Sequence, residues 1–135
     1  MDLDTANTRN YVLVIDDEAP VREAVTDILQ MIEVEVITAV NGLEGIQFYQ
    51  QQQEQIKVVL LDYSMPGLGG EETLHELCRI NPEVSVILSS GYGELEVIER
   101  IGRKENVSYL QKPYNLDQLL QEVSKYLDND ATFSV

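Results

Sequence analysis

Four consecutive apolar residues, Val58-Val-Leu-Leu61, followed at once by Asp62, set the tightest limit on what this chain can fold into. A short run of this kind with no polar alternation suits a strand covered on both faces, as in a parallel sheet. Four more short runs rich in β-branched residues share its character: Tyr11–Ile15, Val34–Thr38, Val84–Leu88 and Val107–Leu110. Between them the apolar spacing turns helical. Val21, Val25, Ile28, Leu29 and Ile32 fall on one helix face, and Leu116, Leu119, Leu120, Val123 and Leu127 on another. Pro20 suits the first turn of the first helix. Asn115 with Gln118 reads as a capping box for the last. Intervening helices are expected over Gly42–Gln53, Glu71–Arg79 and Gly93–Lys104. The third turns Leu74, Leu77 and Cys78 inward, and the fourth is thinly anchored by Leu95, Ile98 and Ile101.

Five β-α units in succession require right-handed crossovers and one open sheet. The expected fold is α/β: a flavodoxin-like, doubly wound (βα)5 with five parallel strands in the order 2-1-3-4-5 and helices on both faces. Residues 11–128 are expected to form one domain, with residues 1–10 and 129–135 as mobile tails.

Composition narrows the function classes. Acidic residues outnumber basic ones by 24 to 9, for a formal net charge of −15, which opposes direct binding to nucleic-acid phosphates. No apolar run is long enough to span a membrane, and the acidic, polar start does not read as a signal peptide. Cys78 is the only cysteine, so no internal disulfide can form; a reducing, cytoplasmic setting is expected, with Cys78 as a small apolar filler on a helix. His75, the only histidine, is expected on an exposed helix face.

In open α/β sheets the ligand site lies beyond the carboxyl ends of the strands. There the sequence places Asp16-Asp17-Glu18 after the first run, Asp62 after the third, Ser89-Ser90-Gly91 after the fourth and Gln111-Lys112-Pro113 after the fifth. Taken singly, an Asp after a strand is a turn or cap residue, a Lys is solvated surface and a Ser bonds locally. The predicted strand order brings them to one edge. Three carboxylates there repel one another, and a hard divalent cation removes the conflict. Mg²⁺ takes oxygen ligands and keeps some water, so two carboxylates and a backbone carbonyl make a suitable half-shell. Lys112 adds a cation, Ser90 a hydroxyl and Gly91 an unobstructed N–H, a set suited to a phosphoryl group on Asp62.

Four motifs, Val14-Ile-Asp-Asp-Glu18, Leu61-Asp-Tyr-Ser-Met-Pro-Gly67, Val86-Ile-Leu-Ser-Ser-Gly91 and Tyr109-Leu-Gln-Lys-Pro113, resemble in order and spacing the receiver domain of bacterial two-component response regulators. The resemblance covers residues 11–128. It implies Asp62 as phosphoacceptor, and Asp16 and Asp17 as the acidic pair holding Mg²⁺, Asp17 directly and Asp16 more often through water. It implies the Ser64 carbonyl as a further ligand, with Mn²⁺ as an alternative ion. Ser90 matches the phosphoryl-contacting hydroxyl position, Lys112 the family's lysine, with a cis bond to Pro113, and Tyr109 the aromatic switch. Ser64 and Tyr92 fall where the family tunes dephosphorylation. Ser at position 90 replaces the commoner Thr and keeps the hydroxyl.

The resemblance further implies a sensor histidine kinase or histidine phosphotransfer protein as partner, with self-catalysed transfer and dephosphorylation rather than turnover of a substrate. It implies a surface of the fourth helix, fifth strand and fifth helix that switches, and a homodimer through that surface. The chain reads either as a stand-alone regulator or as the receiver of a hybrid sensor kinase. The alternative is a degenerate receiver that binds protein without phosphorylation. Other phosphate folds fit worse. No Walker loop is present, and Gly67-Leu-Gly-Gly70 is not a dinucleotide fingerprint, because position 72 is Glu. A haloacid-dehalogenase phosphatase needs an Asp where Ser64 stands.

Overall fold

The computed structural model describes residues 10–65 and 69–127. The expected tails, apart from Asn10, and the motif residues Pro66 and Gly67 lie outside them, as does residue 128. Five strands, β1 (Tyr11–Ile15), β2 (Glu35–Ala39), β3 (Ile56–Asp62), β4 (Val86–Ser90) and β5 (Val107–Gln111), form one parallel sheet in the order β2-β1-β3-β4-β5. Helices α1 (Ala19–Gln30), α2 (Gly42–Gln52), α3 (Gly70–Ile80), α4 (Glu94–Ile101) and α5 (Leu116–Ser124) alternate with them.

The two faces of the sheet carry separate cores, because successive strand side chains point to opposite sides. Leu13, Ile15, Val59 and Leu61 face one way, onto Ile46 and Tyr49 of α2, Leu74 and Leu77 of α3 and Val97 of α4. Val12, Val14, Val58 and Leu60 face the other, onto Val25 and Leu29 of α1 and Leu119 and Val123 of α5. The uninterrupted apolar run of β3 is thus the part covered on both sides.

Several elements differ from the sequence reading at their ends. β3 and β4 run on to include Asp62 and Ser90, because ladder bonding continues past the apolar run: the Tyr63 N–H donates to the Ser89 carbonyl. The largest difference is in α4. Its anchor is Val97, fully buried, whereas Leu95 is 73% exposed and Ile98 only half-buried. The helix is eight residues long and ends at Gly102, whose φ of 80° stops it before Lys104. Ile32 and Leu127 lie just past the ends of their helices, and Leu116 is exposed at the start of α5. The Asn115–Gln118 capping box forms as read, each side chain accepting from the other's backbone N–H at 2.8 and 2.9 Å.

Gly70 marks the closest backbone approach near the site. A Cβ there would stand 2.4 Å from Tyr63 Cα, so α3 begins in direct contact with the backbone that follows Asp62. The Gly70 N–H donates to the Tyr63 carbonyl at 3.2 Å and seals the contact.

Candidate functional site

β1 and β3 are neighbours, so their carboxyl ends place Asp16 and Asp62 side by side. Both are almost wholly buried, while Asp17, one residue further on, is exposed at the rim. Backbone amides fix the two buried carboxylates. Asp16 Oδ1 accepts from the Glu18 N–H at 2.9 Å, and Asp62 Oδ1 accepts from the Ser64 N–H at 3.1 Å. Carboxylate oxygens of Asp16, Asp17 and Asp62 all lie within 4.8 Å of one another, a spacing that one small cation can span.

Lys112 enters from the end of β5. Its Nζ stands 3.4 Å from Asp62 Oδ1 and 3.5 Å from Asp16 Oδ2. The Lys112 backbone N–H donates to the Ser90 carbonyl at 2.7 Å, which ties this turn to β4, and the Lys112–Pro113 bond is cis. Burial works against the ammonium charge, but the Asp62 and Asp16 carboxylates outweigh it and hold Lys112 above its ordinary pKa. Burial is also the largest influence on Asp16. Together with the Asp62 charge it pushes the carboxyl above its ordinary value, against the Glu18 N–H and Lys112. One lysine therefore does not fully compensate the pair. A divalent ion supplies the missing positive charge, so the donor set fits Mg²⁺.

The remaining residues named from the sequence take distinct positions. Ser90 is buried at the end of β4, and its Oγ accepts from the Tyr92 N–H at 2.9 Å. Gly91 is exposed, with open space where a Cβ would stand. Ser64 contributes its N–H to Asp62. The Tyr109 hydroxyl is buried without a hydrogen-bond partner among the described residues, and burial raises its pKa. It lines a cavity of about 170 Å³ with Ser90, Tyr92, Glu94 and Val97. His75 is exposed on α3, and Cys78 packs half-buried against the core.

Two contributors had no signal in the sequence reading. Arg22 Nη1 donates to the Asp16 carbonyl at 2.8 Å, bracing the acidic turn from the first turns of α1. Tyr114 packs beside the site; burial, with Asp16 and Asp62, pushes its hydroxyl up to about 12.

The comparisons with known proteins agree with this geometry. The model of the response regulator receiver domain matches residues 12–124. Sporulation initiation phosphotransferase F of Bacillus subtilis is 28% identical over 116 residues, covering 86% of this chain and 92% of that protein. A receiver domain protein from Clostridium thermocellum superposes with a TM-score of 0.80 at 30% identity, covering 90% of this chain and 97% of that one. The response regulator TrrA of Thermotoga maritima, solved in complex with Mg²⁺-BeF, superposes at 0.76 with 30% identity, covering 87% and 99%. Other relatives are longer: the chain spans 54% of nodulation protein W of Bradyrhizobium diazoefficiens and 12% of sensor kinase CckA of Brucella abortus. The chain belongs to the response regulator receiver domain family of two-component systems.

Proposed function

We propose that this receiver domain accepts a phosphoryl group from a phosphohistidine onto Asp62 and answers by changing the surface formed by α4, β5 and α5. The observation that carries the reading is Lys112 Nζ lying within 3.5 Å of both Asp16 and Asp62 at the carboxyl edge of the sheet. That arrangement gives Asp62 a fixed orientation and a cation placed where phosphoryl charge would develop.

Asp16, Asp17, Asp62 and the Ser64 carbonyl are the residues that would hold Mg²⁺, or Mn²⁺ in its stead. Bound there, the ion would neutralise charge on the phosphoryl oxygens. Asp62 attacks phosphorus in line; the new O–P bond forms as the N–P bond breaks, and its electron pair returns to the donor imidazole. The Ser64 N–H already bonds Asp62 Oδ1 and holds the carboxylate in one rotamer. Lys112 follows the charge onto the transferred group, and the Gly91 N–H and Ser90 hydroxyl are donors on the β4 side. Ser90 turns from the Tyr92 N–H towards the new charge, and Tyr109 moves into the space it leaves. Ser64 and Tyr92 then govern how fast water hydrolyses the acyl phosphate.

A histidine kinase or histidine phosphotransfer protein is the partner this chemistry calls for, in the cytoplasm. The domain would span residues 11–128, pair with a second copy through α4, β5 and α5, and serve alone or within a longer kinase chain. Incubation with Mg²⁺ and a small acyl-phosphate donor, followed by intact-mass measurement, tests the core of the reading. One phosphoryl adduct on the wild type and none on Asp62→Asn is the expected result. An unmodified wild type, or an equal adduct on the variant, would overturn it.

A further inference from the structure

Tyr92 is 42% exposed, yet its ring is held on two sides. Its edge meets the Tyr63 ring at 6.4 Å between centroids and 84° between planes, and the Arg100 guanidinium lies over it at 5.3 Å from the centroid. Tyr63 directly follows Asp62, and Arg100 sits in the last turn of α4. The backbone N–H of the same Tyr92 holds Ser90 Oγ at 2.9 Å. A continuous set of contacts therefore joins the end of β3, the Ser90 hydroxyl and α4.

We propose that Arg100 is a positioning residue which, by clamping Tyr92 against Tyr63, keeps the Ser90 hydroxyl turned away from Asp62 and so opposes occupation of the site by a phosphoryl-like anion. The inference rests on Asp62 being the acceptor. Ser90 Oγ reaches the Tyr92 N–H in the conformation described here, so a turn towards an anion on Asp62 must break that bond or carry Tyr92 with it. Carrying Tyr92 means parting its ring from Arg100 and Tyr63. The Arg100 contact is lost on the side of α4, the helix whose buried anchor is Val97, and the Tyr63 contact at the end of β3. The clamp thus sets a threshold for the switch and couples α4 to it.

The direction of the effect separates this role from simple electrostatics. Arg100 is a cation, so its removal on charge grounds alone would weaken anion binding. Release of the clamp predicts the opposite. Titration with beryllofluoride and Mg²⁺, followed by tyrosine fluorescence and amide NMR shifts, reads the affinity. Arg100→Ala is expected to bind about two- to fivefold tighter, the worth of one exposed cation–π contact. Arg100→Lys should lie between Ala and wild type, and Tyr92→Phe, which keeps the ring, should match wild type. Tyr92→Leu should reproduce Arg100→Ala, and the double variant should gain nothing further, since both remove one interaction. Unchanged or weaker binding by Arg100→Ala, or additive gains in the double variant, would overturn the inference while leaving Asp62 as acceptor. A wild type without any beryllofluoride response would overturn the acceptor reading itself.

Discussion

Two tyrosine hydroxyls lie in the same apolar core and are treated differently. Tyr49, on α2, accepts from Asn81 Nδ2 at 2.9 Å, in a region where α2 and α3 close tightly over β1 and β3. Tyr109, on β5, has its hydroxyl buried with no partner among the described residues, beside a cavity of about 170 Å³ under α4. The same contrast extends through both neighbourhoods. α3 buries Leu74 and Leu77 and meets the Tyr63 backbone at Gly70, whereas α4 buries only Val97 among its apolar residues. Asp16 and Asp62 are pinned by backbone amides on the first side. The lesson is a division of labour: the two buried carboxylates are held by backbone amides on the α3 side, and the tyrosine that would report on them stands beside a void.

Substitutions can break this contrast. The largest effect is expected in the core beneath α3. Leu77→Ala should cost about 2–5 kcal/mol in urea unfolding, because the site is sealed and cannot collapse. Val97→Ala, next to an existing void, should cost less than half as much; equal costs would erase the distinction between the two helices. Lys112→Ala should slow phosphorylation by a small donor roughly 10²- to 10³-fold, the usual loss for one preorganised charge-stabilising donor. Stopped-flow or mass-resolved kinetics would measure it.

Metal and pH sharpen the comparison at the carboxylates. The Asp16 pKa lies above its ordinary value, chiefly through burial, so the folded chain holds that proton more tightly than the unfolded one. In the absence of metal, stability should therefore fall as pH rises from the ordinary aspartate value through the raised one. Mg²⁺ needs the ionised form. Its stabilisation should appear over the same rise, reach about 1.4 kcal/mol at tenfold excess over Kd, and vanish in acid. Melting curves with Mg²⁺ and with EDTA across that range would show it. The smallest effects return to the tyrosines. Tyr49→Phe should cost about 1 kcal/mol by leaving the Asn81 amide short of an acceptor, while Tyr109→Phe should be nearly neutral because no bond is lost.

Much of this was legible from residue order. Apolar runs ending in Asp62 or followed by Asp16 and Lys112 fixed the strands, and strand order alone brought the three together. Periodicity failed at α4, where Leu95, Ile98 and Ile101 look like a stripe but Val97 is the buried anchor. A helix of eight residues offers too few turns for spacing to distinguish one face from the next. The Arg22 bond and the contacts that join Tyr63, Tyr92 and Arg100 were invisible for a different reason. Each acts through a backbone group or a ring face brought close only by the fold, with no motif of its own.

The contact at Gly70 has a mechanical consequence. Side chains between two elements act as a cushion, since rotamers can absorb a small push. None stands between the start of α3 and the backbone after Asp62, where a single methyl group would already overlap Tyr63. That joint is an abutment, stiff in compression. A load applied at Asp62 therefore cannot be dissipated towards α3. A path sideways across the sheet, to β4 and β5, meets less resistance, because the void and the lightly anchored helix give the load somewhere to go.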